Sequence, residues 1–155
     1  MSPSRHVSRR RFLGAAAGAL AAPYIVPSSV LGMGSAIAPS ERIVLGTIGI
    51  KSMGKGNTGA FMRNKDVQVV AICDVDEHEL AGGVRSVNKH YKNEACAGFK
   101  AYRELIARED IDAVCIATPD HWHAICAVTA AKAKKHIYCQ KPMTHTFAEG
   151  QAVVK

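Results

Sequence analysis

The residues best equipped for chemistry stand where short apolar runs stop. The first run, 43–50, leads into Gly49-Ile50-Lys51-Ser52-Met53-Gly54, which has the outer glycines of a G-x-G-x-x-G dinucleotide loop and a lysine in the middle. In such a loop the glycines let the backbone turn tightly and approach a pyrophosphate, whose charge the following helix N-terminus receives. Lys51 narrows that approach while bringing an ammonium to it. A second register, Gly54-Lys55-Gly56-Asn57-Thr58-Gly59, spells the motif intact, and Asp74 follows Gly54 by 20 residues. The first register is preferred because Gly49 stands where the strand runs out, whereas the second would insert further residues between strand and loop. Met53, Asn57, Ala60 and Phe61 can then follow on a helix.

The second run, 67–73, closes in Cys73-Asp74-Val75-Asp76. An acid at that point can accept from both ribose hydroxyls of a dinucleotide, and no Arg or Lys in 75–80 is present to meet a 2′-phosphate, so NAD is expected in preference to NADP. The competing use is capping of the next helix. Asp74 and Asp76 can divide the two jobs. Two more runs end in polar clusters, Ala117-Thr118-Pro119-Asp120-His121-Trp122-His123 and Tyr138-Cys139-Gln140-Lys141-Pro142-Met143. His121 and His123, with His136 and His145, invite a metal reading, but residues two apart on a helix point roughly 200° away from each other. No H-E-x-x-H or comparable ligand set accompanies them, and no metal is expected. Trp122 is read as packing at the sheet's edge or an interface rather than stacking on a ligand. The five cysteines at 73, 96, 115, 126 and 139 contain no C-x-x-C pair, and are read as small buried hydrophobes.

Positioning these groups is the work of alternating elements. Apolar, β-branched runs at 43–50, 67–73, 111–118 and 136–139 read as strands buried on both faces. Helix patterns lie between them near 52–64, 77–90, 102–108 and 120–134, with another from 146 to 155 and a short strand around 98–101. Such alternation implies an α/β fold, a Rossmann-type doubly wound parallel sheet that binds ligands at the carboxyl ends of its strands.

The chain has 155 residues with 20 Lys and Arg against 13 Asp and Glu, a net charge of +7. Four of the arginines fall in residues 1–38, which hold no acid, leaving 16 bases against 13 acids elsewhere. That surplus is too small for a nucleic-acid footprint, and no nucleic-acid partner is expected. The excess marks a targeting segment. Ser8-Arg9-Arg10-Arg11-Phe12-Leu13 and the small apolar stretch to Ala22 resemble a twin-arginine export signal, too short to span a bilayer. Residues 1–38 are therefore expected to be signal and linker, 39–155 the domain, and the location periplasmic, with membrane contact only through the signal. A basic tail or a mitochondrial presequence is the competing reading. Ala36-Ile37-Ala38 is an A-x-A site, but Pro39 would follow the cut, so release after another small residue and retention as an anchor both stay open.

Taken together, the strand ends point to a family. The run from Arg42 onward resembles the cofactor-binding half of the glucose-fructose oxidoreductase, inositol dehydrogenase and rhizopine-catabolism (Gfo/Idh/MocA) family, whose hallmarks are an A-T-P-x-x-x-H-like strand end and an E-K-P motif. Ile116-Ala117-Thr118-Pro119-Asp120-His121-Trp122-His123 is similar to the first and Gln140-Lys141-Pro142 to the second, with Gln for Glu. The resemblance implies NAD-dependent hydride exchange with a sugar or polyol. It implies that Gly49, Ile50, Lys51, Met53, Gly54 and Asp74 hold the dinucleotide, together with Thr118, Pro119 and His121. It also implies that Gln140 meets the nicotinamide ribose and that Lys141 reaches the nicotinamide and the substrate hydroxyl, where an amine assists proton transfer. In the family a second domain supplies the substrate contacts, so this chain is expected to be truncated before it, and to work as an oligomer or with a separately encoded substrate domain. A noncatalytic dinucleotide-binding or partner-binding remnant is the alternative, supported by Lys51 and Gln140.

Overall fold

The computed structural model describes residues 38–155. The expected export segment lies, but for Ala38, outside the described residues. After a turn of 3-10 helix (Pro39–Glu41) come β1 (Ile43–Ile48), α1 (Met53–Met62), β2 (Val67–Cys73), α2 (Glu77–Tyr91) and β3 (Ala97–Phe99). They are followed by α3 (Tyr102–Ile106), β4 (Ala113–Ile116), α4 (Asp120–Lys132), β5 (His136–Cys139) and α5 (Phe147–Val154). All pairings in the single five-stranded sheet are parallel, in the order β3-β2-β1-β4-β5.

The near-continuous apolar strands are explained by burial on both faces. On one face Ile48, Ala71, Cys73, Val114 and Ile116 pack against Leu105 of α3 and Cys126, Ala127 and Ala130 of α4. On the other, Leu45, Val69, Ile72 and Cys115 pack with Val87 of α2. Thr47 is buried on this second face, its hydroxyl 3.0 Å from that of Thr58 in α1. The expected doubly wound α/β sheet is therefore present.

Several boundaries differ from those expected, three of them at strands. β1 stops at Ile48 because Gly49 turns the chain at φ 84°; Ile50 is still buried, but in the loop. β4 begins at Ala113, since Asp112 spends its carboxylate on the Val44 amide at 2.8 Å. The short third strand is Ala97–Phe99, starting one residue and ending two residues earlier than expected, where it can pair with Ala71–Cys73. Helix starts follow local chemistry. Asp76 caps α2 by accepting from the His78 and Glu79 amides. Thr146 and Glu149 form a reciprocal capping box on α5.

Candidate functional site

In the strand order 3-2-1-4-5 the chain reverses direction of travel between β1 and β4, and a crevice opens above their carboxyl ends. Two adjoining clefts occupy that crevice. One, of about 350 Å³, lies over the ends of β1, β2 and β4 and takes in Gly49, Asp74, Tyr102, Thr118 and Trp122. The other lies toward the end of β5 and takes in Met53, His123, Gln140 and Lys141. Lys51, Ala117, Thr118 and Pro119 line both.

The glycine loop follows the first register. A Cβ on Gly54 would meet the Gly49 carbonyl oxygen at 2.0 Å, and one on Gly49 would meet the Ala117 carbonyl oxygen at 2.7 Å. Both glycines thus serve close backbone packing of loop, helix and β4. Between them Ser52 adopts φ 50°, ψ −110°, a region that favours glycine, and its side chain makes no cap bond to α1. Lys51 is exposed at the junction of the clefts.

Asp74 and Asp76 have separated roles. Asp74 stands half-buried at the cleft, with Oδ2 accepting from the Ile50 amide at 2.9 Å and Oδ1 from the Asp76 amide at 3.0 Å. It therefore ties the glycine loop to the end of β2, and each oxygen keeps a further lone pair for another donor. Asp76 is the helix cap, and the Glu79 and His78 amides hold its carboxyl below the usual carboxylate range, with Lys51 adding a smaller pull in the same direction.

The remaining expected residues divide. Thr118 and Pro119 lie at the meeting point of the clefts, and Gln140 and Lys141 at the far end. Gln140 donates from Nε2 to Asn57 Oδ1 at 3.3 Å and accepts from the Lys141 amide at 3.1 Å, so the neutral group is already engaged on α1. His121 does not join them. It is exposed on α4, tilted against Trp122, and lines neither cleft, because α4 turns its buried face through His123 instead. His123 is 1% exposed, its ring nitrogens 2.5 Å from the Pro142 carbonyl oxygen and 2.8 Å from that of Thr118. The A-T-P-x-x-x-H spacing counts to this histidine, which is the signal that could have singled it out. Trp122 packs edge-on against Tyr102 at 6.2 Å, is 44% exposed and forms part of the cleft wall.

The crevice has room and chemistry for a dinucleotide. The hydroxyl oxygens of Tyr102 and Thr118 are buried without a hydrogen-bond partner among the described residues, and both residues line the first cleft. Such orphaned groups suit a ligand that brings its own polar atoms. Among the described residues no three His, Cys, Asp or Glu stand together as metal ligands. The five thiols are free, and burial pushes those of Cys73, Cys115 and Cys126 up to about 12, far from nucleophilic thiolate.

A parallel doubly wound sheet with a glycine loop, a β2 acid and a crevice at its switch point defines a dinucleotide-binding α/β domain. The family is settled by comparison: residues 43–155 match the oxidoreductase family with an NAD-binding Rossmann fold, Gfo/Idh/MocA, and the chain belongs to it. Its domain is accordingly an NAD-binding one. A glycosyl hydrolase family 109 protein 2 of Shewanella sp. strain ANA-3 is 34% identical over 120 residues, which are 76% of this chain and 26% of that protein. The myo-inositol 2-dehydrogenase from Lactobacillus plantarum shares the fold with a TM-score of 0.65 at 23% identity, over 73% of this chain and 32% of the enzyme. The WlbA dehydrogenase from Bordetella pertussis, solved with NADH and UDP-GlcNAcA, has a TM-score of 0.64 at 25% identity, over 73% and 33%. The chain thus spans about a quarter to a third of these relatives.

Proposed function

We propose that this chain is the cofactor-binding part of a dehydrogenase that exchanges hydride with a sugar- or polyol-like substrate and prefers NAD to NADP. The observation that carries the reading is the pair of adjoining clefts, with Asp74 at one end, Lys141 at the other, and Lys51, Thr118 and Pro119 between. Asp74 would accept from the adenosine ribose, and its charge would repel a 2′-phosphate. The apolar walls by Val75, Tyr102 and Trp122 would take adenine, and the glycine loop with Lys51 the pyrophosphate. When bound, NAD supplies the hydride acceptor at its nicotinamide ring. Lys141 would hold or move the proton of the substrate hydroxyl at Nζ, and Gln140 would fix the neighbouring ribose. Substrate contacts would come from a further domain, encoded with this one or separately. The named substrates of the inositol dehydrogenase and of the WlbA complex support a polyol or sugar.

Titration of the chain with NADH tests the reading, because Trp122 is the one tryptophan in the sequence and lines the cleft. Energy transfer from it to bound NADH is expected, and saturable binding without such transfer would move the cofactor elsewhere. A second reading is favoured by the Shewanella relative's name: cleavage of a glycosidic bond that needs NAD without consuming it, as some glycosidases do. Nitrophenol release from an aryl glycoside, dependent on NAD and without net NADH, would favour it over polyol oxidation.

The Arg9-Arg10 pair beside Phe12-Leu13 supports twin-arginine transport to the periplasm with NAD already bound. Replacing both arginines by lysine should retain the protein in the cytoplasmic fraction, and unchanged export would refute the route.

A further inference from the structure

His123 lies in the first turn of α4 and bridges two segments that differ in origin. Thr118, whose carbonyl oxygen is 2.8 Å from Nε2, follows β4; Pro142, whose carbonyl oxygen is 2.5 Å from Nδ1, follows β5 immediately after Lys141. Carbonyl oxygens only accept, so each contact is a hydrogen bond when the facing ring nitrogen carries its proton. A neutral imidazole carries one N–H and donates to one of the two carbonyls, and only the imidazolium donates to both, whereas a leucine or phenylalanine would fill the same buried volume and donate to neither. The segment after β5 is fastened at Gln140, whose amide donates to the Ile116 carbonyl at 2.9 Å. From His145 onward its amides bond locally to Glu149. Lys141 falls between these anchors, is exposed, and shares its cleft with His123, Lys51 and Asp120.

We propose that His123 is a positioning residue for the nicotinamide end of the site: by joining Thr118 to Pro142 it holds Lys141 at a set height over the cleft. The role rests on the NAD-binding reading above and requires no contact between His123 and the reacting atoms.

The test compares two ligands on the full chain. ADP reaches only the adenosine end, whereas NADH reaches both. The wild-type chain should bind NADH more tightly than ADP. His123→Leu should lose about tenfold in NADH affinity while ADP affinity stays within experimental error, and His123→Gln, which keeps an N–H donor, should recover part of the loss. Equal losses for both ligands, as from a general loosening of the fold, would overturn the proposal, as would no loss for NADH. Should His123→Leu fail to fold, the native ring N–H exchange decides: NADH, and not ADP, should slow it, and indifference to NADH would overturn the role. A wild-type chain that binds neither ligand overturns the dinucleotide reading itself. Binding of both with an indifferent His123 overturns only this proposal.

Discussion

Asp74 carries two loads at once, and its substitutions separate them. Its Oδ2 holds the Ile50 amide of the glycine loop, while in the proposed cofactor pose its charge would face a 2′-phosphate. NADH should therefore bind more tightly than NADPH. Asp74→Asn keeps an acceptor for Ile50 and removes the charge, so the gap should narrow by roughly tenfold, about 1.4 kcal/mol, with the loop intact. Asp74→Ala loses the acceptor as well and should weaken both cofactors. Fluorescence titrations of the three proteins decide; equal affinity for both cofactors in the wild type would remove the discriminating role. Lys51 poses the opposite question, because it stands where both clefts meet. If its side chain obstructs the pyrophosphate path, Lys51→Gly should tighten NADH binding by roughly tenfold. Weaker binding would mean that the ammonium contacts phosphate and compensates for the missing glycine.

Among the elements, α2 starts on a single capping side chain. Asp76 caps it, and the backbone amides of Glu79 and His78 hold the Asp76 carboxyl below its ordinary value of 3.8. Because the folded state favours the carboxylate, the stabilisation is complete above that ordinary value and is lost as pH falls through the lower folded-state value. Asp76→Asn keeps a capping oxygen without the titration. Its thermal midpoint should follow that of the wild type near pH 7, and it should lose less on acidification toward pH 2.5. Asp76→Ala should lower the midpoint at pH 7 by roughly 5 °C. Differential scanning calorimetry across pH measures both, and identical acid profiles for wild type and Asp76→Asn would assign the acid sensitivity to other groups, such as Glu149 in the α5 capping box.

At the scale of the whole molecule, the two edges of the sheet are unequal. β3 is three residues long, whereas β5 pairs among the described residues only with β4 and leaves Ile137 40% and Tyr138 47% exposed. Met143 at 58% and Phe147 at 84% extend the apolar surface beyond the strand. An unpaired edge with apolar side chains is a template for association. The 155-residue chain by itself should show concentration-dependent self-association in sedimentation velocity, and Ile137→Lys should shift it toward monomer. A wild-type monomer at all concentrations would show that the edge is protected by some other means.

The local pattern alone determined the strand and helix alternation, the placing of Gly49 and Gly54 at the first turn, and an acid at the end of β2, because each depends on neighbours within a few residues. Tight turns need glycine, buried parallel strands need continuous apolar residues, and a helix start needs a short acceptor. The assignment of roles between near-equivalent residues was decided by tertiary structure. His121 and His123 follow the same proline, yet only the rotation of α4 against the sheet sends one to solvent and the other between Thr118 and Pro142. Gln140 finds Asn57 across 83 residues, and Asp74 finds Ile50 across 24. Neither contact has a local signature, since helix phase and strand order are set by packing both faces of the sheet at once, and that packing draws on side chains from the whole domain.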